Sequence, residues 1–170
     1  MKKRLIIFVV VVFFSILGWT FLAVQSLMTK QTTKEEIQKA FPADSYAAFM
    51  KSDKLTLYSL KPEGKNEGAE DFHGYSVLGK TEIDILKYQA DVKNAFIREM
   101  AGAYGAACFN PRHALRAEGN GRTIDVVICF ECENFVVYSG DAKGEGSIAA
   151  ANLVDPFNQV LSNAKIEVAK

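Results

Sequence analysis

The chain has 170 residues, enough for one domain with its own core, and carries 20 basic against 20 acidic residues. Three of the basic ones, Lys2, Lys3 and Arg4, precede the first long apolar run, so the remainder has a net charge of −3. A nucleic-acid binder shows a basic excess or stripe; neither is present, nor is there an internal repeat or a long low-complexity tract.

Residues 5–24 (LIIFVVVVFFSILGWTFLAV) carry no charge. A helix rising about 1.5 Å per residue over this length covers roughly the 30 Å hydrocarbon core of a bilayer. The basic flank stays in the cytoplasm and sends everything after Val24 to the other side. A cleavable signal has a shorter apolar stretch, with small residues three and one before the cut. The best cut here, after Ser26 with Val24 and Ser26 in those positions, is mediocre, so length favours a retained single-pass anchor. Trp19 suits the outer interface. No Gly-x-x-x-Gly pattern specifies a helix dimer, and no cysteine near the end of the run invites a lipid. The expected organisation is a basic flank and anchor over 1–24, a juxtamembrane helical stalk over 25–52 and an extracytoplasmic domain over 53–170.

Thr33 and Glu36 have the spacing of a capping box. Ile37, Ala40 and Phe41 then form a short apolar stripe that Pro42 stops, and a second short helix is expected over 44–50. These helices either stand as a stalk or pack on the domain. Leu55, Leu57 and Leu60 lie in a predicted strand, 54–60, and the polar residues 61–71 form a glycine-bearing loop. A strand over 75–83 precedes an amphipathic helix running from about 85 to 104. Its apolar face is Ile85, Tyr88, Val92, Ala95, Phe96, Met100 and Ala103 at three- and four-residue spacing. Lys87, Asp91, Asn94 and Arg98 oppose it, Asp84 is its N-cap, and Gly102 or Gly105 ends it.

Asn120 and Gly121 both accept the positive φ of a type I′ turn, the strongest short hairpin signal. A two-residue turn there sets Arg116 opposite Asp125. It also gathers His113, Leu115, Ala117, Ile124, Val126 and Ile128 on one dry face. Arg112, Arg116, Glu118, Thr123, Asp125 and Cys129 share the other. A one-residue slip would scramble that division, so the register is well specified. Residues 135–138 (FVVY) continue the sheet as a further strand or as the far side of a bulge, and the glycine-rich residues 140–147 read as an exposed loop. Asp155 caps a last helix with Pro156 at its first position, burying a stripe of Phe157, Val160, Leu161 and Ala164. The fold class is α+β: an antiparallel sheet with helices packed on one face, preceded by one transmembrane helix.

Cys108, Cys129 and Cys132 are the only cysteines, and His73 and His113 the only histidines. As spacing, Cys108, His113, Cys129 and Cys132 make a candidate four-ligand zinc set. The hairpin register weakens it, because His113 and Cys129 face opposite ways. A disulfide suits an exported compartment. With a bulge at Pro111, which cannot donate to a ladder, Cys108 falls opposite Cys132, within bridging distance. Such a bond typically stabilises by about 2–4 kcal/mol. Cys129 is then a free thiol or an alternative partner, a Cys108–Cys129 bond being second choice. Cys129-x-x-Cys132 also has the spacing of a redox dithiol, although no helix N-terminus is expected there to activate it. A Cys108–His113 nucleophile pair would need strand-like backbone interrupted by Pro111 to bring it together. His113 reads as a hydrogen-bonded core histidine and His73 as a loop-edge residue.

The stretches at 72–79 (FHGYSVLG), 108–113 (CFNPRH) and 128–132 (ICFEC) resemble a group of uncharacterised bacterial exported or membrane-attached proteins, over residues 53–165. The resemblance implies a localisation and a single domain, with no activity attached. Two function classes follow. The favoured one is a membrane-anchored extracytoplasmic binding or accessory module that needs no cofactor and acts through a protein partner or the envelope. The alternative is a thiol- or zinc-dependent enzyme centred on Cys108, His113, Cys129 and Cys132.

Overall fold

A computed structural model describes residues 37, 39–42, 44–63, 65–83, 88–101, 107–148 and 153–169. The anchor at 5–24, the Thr33–Glu36 box, and Asp84, Ile85, Lys87, Gly102, Ala103 and Gly105 lie outside them. Among the described residues no helix is long and apolar enough to cross a membrane.

The architecture is α+β. Helix α1 spans Ser45–Lys51, α2 Gln89–Glu99 and α3 Val154–Asn163. The strands are β1 Lys54–Lys61, β2 Asp71–Phe72, β3 Tyr75–Glu82, β4 Met100–Ala101, β5 His113–Gly119, β6 Arg122–Cys129, β7 Asn134–Ser139 and β8 Ala142–Ile148. They form one eight-stranded sheet in the order β2-β3-β1-β5-β6-β7-β8-β4, every pair antiparallel.

The β5–β6 hairpin has the register expected from its turn. Asn120 and Gly121 both have positive φ, 51° and 71°, and Arg116 pairs with Asp125 and Leu115 with Val126. Leu115, Ala117, Ile124, Val126 and Ile128 join Leu55 and Leu57 of β1 in the main core, and Phe49, Phe96, Phe157 and Leu161 from the three helices complete it. All three helices therefore cover one face. Ala40 and Phe41 are buried in the same core, and the Phe41 N–H donates to the Ile37 carbonyl at 2.9 Å. The segment from Ile37 to α1 thus packs on the sheet instead of standing apart as a stalk.

Four expectations need correcting. The helix expected over 85–104 ends at Glu99, where Met100 and Ala101 turn into β4 and pair with Ile148 and Ser147. It is also rotated. Tyr88 is 56% exposed, whereas Gln89 and Lys93 are buried with Phe96. The reason is a carbonyl: Ser52 is the C-cap of α1, and Lys93 Nζ donates to its buried oxygen at 2.8 Å. A cation at a helix C-terminus satisfies an orphan acceptor that the local sequence leaves open. Burial holds the Lys93 ammonium below its ordinary pKa, with Asp53 opposing.

The residues 140–147 expected as a loop are instead a turn followed by strand β8. Gly140, with φ 58°, and Asp141 make a two-residue turn that pairs Ser139 with Ala142. The glycines serve close approach. A Cβ on Gly144 would run into the Ala40 carbonyl and the Pro42 ring, and one on Gly146 into the Phe135 ring. At the C-terminus, the N-cap is Leu153, with Asp155 inside the first turn and Ala164 exposed. Finally, Cys108 reaches Cys132 from irregular backbone at 107–112, not through a bulged ladder around Pro111.

The Gly144→Ala substitution should therefore lower stability by about 1–3 kcal/mol through overpacking, read as a fall in the midpoint of denaturant unfolding at unchanged slope. An unchanged midpoint would mean that the Ala40 segment does not rest on β8.

Candidate functional site

The face of the sheet without helices is not simply polar. Tyr58, Leu60, Phe72, Ala114 and Val127 form a second buried cluster there, with Tyr75, Val77, Phe109 and Tyr138 packed around it. The sheet curls, and the β2–β3 turn folds over this face. His73 and Gly74, at φ 51° and 97°, make that turn, and Phe72 lies 4.4 Å from the Tyr58 ring.

Asp125 is the centre of the face. Its side chain is only 8% exposed, so its charge must be paired. Arg116 supplies a two-pronged contact, Nε to Oδ1 and Nη2 to Oδ2, both 2.7 Å. His73 Nε2 adds a 2.7 Å hydrogen bond to Oδ2. Burial alone would raise the Asp125 pKa, but the hydrogen bonds from Arg116 and His73 hold the carboxyl below its ordinary value. The bond to Asp125 likewise holds the Arg116 guanidinium firmly charged, against burial. Each donor is itself held by rings. The guanidinium carbon lies 5.0 Å from the Phe72 centroid and 5.7 Å from that of Tyr58, distances at which the ring quadrupole attracts a cation. The His73 imidazole stacks on Tyr138 at 3.8 Å, 8° from parallel. Burial raises the Tyr58 hydroxyl, with Arg116 and Lys80 acting the other way.

Next to this cluster lies an open depression of ≈ 340 Å³ lined by Lys54, Thr56, Tyr58, Lys80, Thr81, Glu82, Arg116 and Glu118. Its charges are interleaved and largely paired: Lys54 with Glu118 at 3.1 Å, and Lys80 with Glu70 at 2.8 Å. It is a shelf for hydrogen bonding, bounded by β1, β3 and β5.

The residues singled out in the sequence divide between the two faces. His113 lies on the helix side, among Phe130 and Phe157, and its Nε2–H donates to Asn158 Oδ1 at 2.8 Å. Burial pushes its pKa down to about 4, the Asn158 bond opposing and the Arg112 charge assisting. It is a hydrogen-bonded core histidine. Cys129 and Cys132 are fully buried at the β6–β7 turn, and Cys108 is exposed beside them. Cys132 Sγ is at disulfide distance from both partners, with Cα separations of 5.8 Å to Cys108 and 5.3 Å to Cys129. The three sulfurs converge without His113, and among the described residues no group of three or more His, Cys, Asp or Glu side chains is placed to share a metal ion. The expected Cys108–Cys132 pairing is compatible with this geometry. Cys129–Cys132, not Cys108–Cys129, is its competitor.

His73, Tyr138, Phe72 and Lys80 were not legible as one site. The single available signal was the His-Gly pair, which takes positive φ as Asn-Gly does and marks a tight turn; nothing in the sequence says which strand that turn folds onto. No family model, curated protein or solved structure matches this chain.

Two outcomes test the electrostatics. Arg116→Met leaves Asp125 with His73 as its remaining partner and should cost about 2–3 kcal/mol, read in chemical denaturation at neutral pH. For His113, the unfolded ring takes up its proton near the ordinary histidine value of 6.5, while the folded one resists until about 4. Stability is therefore complete above the unfolded value and declines as pH falls from there toward 4, by on the order of 3 kcal/mol. His113→Leu should flatten that part of the stability–pH profile. Equally steep profiles for the two proteins would assign the loss to other groups.

Proposed function

We propose that this protein is a membrane-attached extracytoplasmic accessory module that receives an extended segment of a protein partner along the outer edge of β3. Attachment rests on the uncharged residues 5–24 behind Lys2, Lys3 and Arg4. Three cysteines within disulfide reach suit an oxidising compartment. The resemblance of residues 53–165 to exported and membrane-attached bacterial proteins points the same way.

The observation that carries the reading is the edge. β2 pairs only with Tyr75 and Ser76 of β3, and the Val77 N–H donates to Glu70. Beyond Val77, no strand among the described residues pairs with that side of β3. The Ile83 N–H donates inward to Leu55 at 2.8 Å. Since N–H direction alternates along a strand, those of Lys80 and Glu82 point outward. An incoming strand would gain ladder bonds from this edge, while the shelf of Lys54, Lys80, Glu82 and Glu118 would read its side chains. Interleaved charges of both signs suit a polypeptide better than a polyanion, in keeping with the absence of a basic stripe.

The alternative, a thiol- or zinc-dependent enzyme, loses His113 to the opposite face and retains only the cysteines. No catalytic residue is assigned here and no cofactor is required.

A photo-cross-linking side chain at Thr81 of the full chain, expressed in intact cells, should give a discrete protein adduct. Protease added from outside should degrade the domain while residues 1–24 remain with the membrane. Glu82→Pro removes one outward N–H without touching the β1 ladder, and proline is tolerated at sheet edges. It should abolish the adduct while leaving the thermal transition in place. An adduct that survives Glu82→Pro, or an identical one from Asn94 on the exposed side of α2, overturns strand docking. A protease-resistant domain overturns the localisation.

A further inference from the structure

We infer that Cys132 is the shared sulfur of an internal disulfide exchange, its bond alternating between Cys108 and Cys129, so that Cys108 becomes an exposed thiol able to take up an external disulfide. A sulfur holds one disulfide at a time, and both Cα separations, 5.8 and 5.3 Å, lie inside the range a disulfide spans. The two partners differ in surroundings. Cys129 is fully buried on β6, whereas Cys108 sits on exposed backbone. This inference is independent of the β3 edge.

The step needs no outside oxidant once one bond exists. The Cys129 thiolate attacks Cys132 Sγ of the Cys108–Cys132 bond. The Cys129–Cys132 bond forms, the Cys108–Cys132 bond breaks, and Cys108 leaves as a thiolate, taking up the proton that Cys129 gave up. The Cys132 backbone N–H points at Cys129 Sγ, 3.1 Å away.

The reverse step stays available because a second link spans the same segments. Arg112, four residues after Cys108, pairs with Glu131, next to Cys132, at 2.7 Å. Opening the covalent tether frees the Cys108 end of the loop, and with it Phe109, which packs beside Tyr75 over the second core. The released Cys108 thiolate can attack an external disulfide, forming a mixed disulfide and expelling the other half as a thiolate.

The test uses the full chain extracted in detergent without reductant. Unfolding at about pH 3, where thiolates are protonated and exchange stops, followed by alkylation in acid, should label Cys108 in some chains and Cys129 in others, and Cys132 in none. Alkylation of the folded protein at neutral pH should then bring every chain to one label, on Cys108, as exchange drains the Cys108–Cys132 form. Oxidised glutathione in place of the alkylating agent should add one glutathione, also at Cys108. Cys129→Ser should fix the Cys108–Cys132 bond and abolish both reactions.

A single labelled site in acid would mean a static disulfide and overturn the inference. So would native alkylation that stalls at the fraction already carrying free Cys108, or three free thiols in the starting protein.

Discussion

A carboxylate buried on a sheet must find partners for its oxygens or the sheet does not form in that shape, and Asp125 finds them on two residues. Arg116, directly across the β5–β6 ladder, is a local partner that any correct hairpin would deliver. His73 is not local: in the sheet order, β3, β1 and β5 lie between β2 and β6. Its 2.7 Å bond forms only if the sheet curls far enough for the β2–β3 turn to come down on β6. The same closure puts Phe72 against Tyr58 and the guanidinium of Arg116, and His73 on Tyr138. The place of Phe72 in the second core, its contact with the guanidinium and the His73 bond to the carboxylate are thus products of one geometric condition. Without the curl, Asp125 would keep only its two bonds from Arg116 and Phe72 would face water.

What the sequence discloses here follows the range of each interaction. The β5–β6 hairpin is fully legible, because Asn120-Gly121 sets the turn and the two faces differ in polarity. Strand β8 is not legible, because Gly144 and Gly146 read as loop residues when considered alone. They are glycines because Ala40 and Phe135 occupy the space a Cβ would need, a reason located elsewhere in the chain. Helix α2 shows the same limit. Periodicity finds the helix, but the turn it adopts about its axis depends on Lys93 reaching the Ser52 carbonyl, and no periodic pattern records that need. Of the candidate residues, the Arg116–Asp125 pair came from local register. The part played by His73 depended on long-range curl.

The two faces also separate chemistry from support. His113, conspicuous in sequence beside cysteines, is consumed by the helix-side core with Asn158 and Phe157. Cys129, next to Ile128 on β6, faces the other way, and Phe109, next to Cys108, packs on the opposite cluster. A histidine and three thiols close together along the chain therefore need not form a common site. Alternation across a strand can place neighbours on opposite sides of the sheet.

The last residues have a bearing on how the molecule comes into being. α3 brings Phe157 and Leu161 to the core and Asn158 to His113. Just beyond it, Ile166 sits against Gly79 and the Glu167 carbonyl accepts from Ser59 at 2.6 Å. A chain emerging from its N-terminus completes every strand before it possesses these groups. Until α3 has been made, the part of the sheet that Phe157 and Leu161 cover stays unsealed, and His113 lacks its acceptor. Such a chain is open to misassociation while it waits for α3.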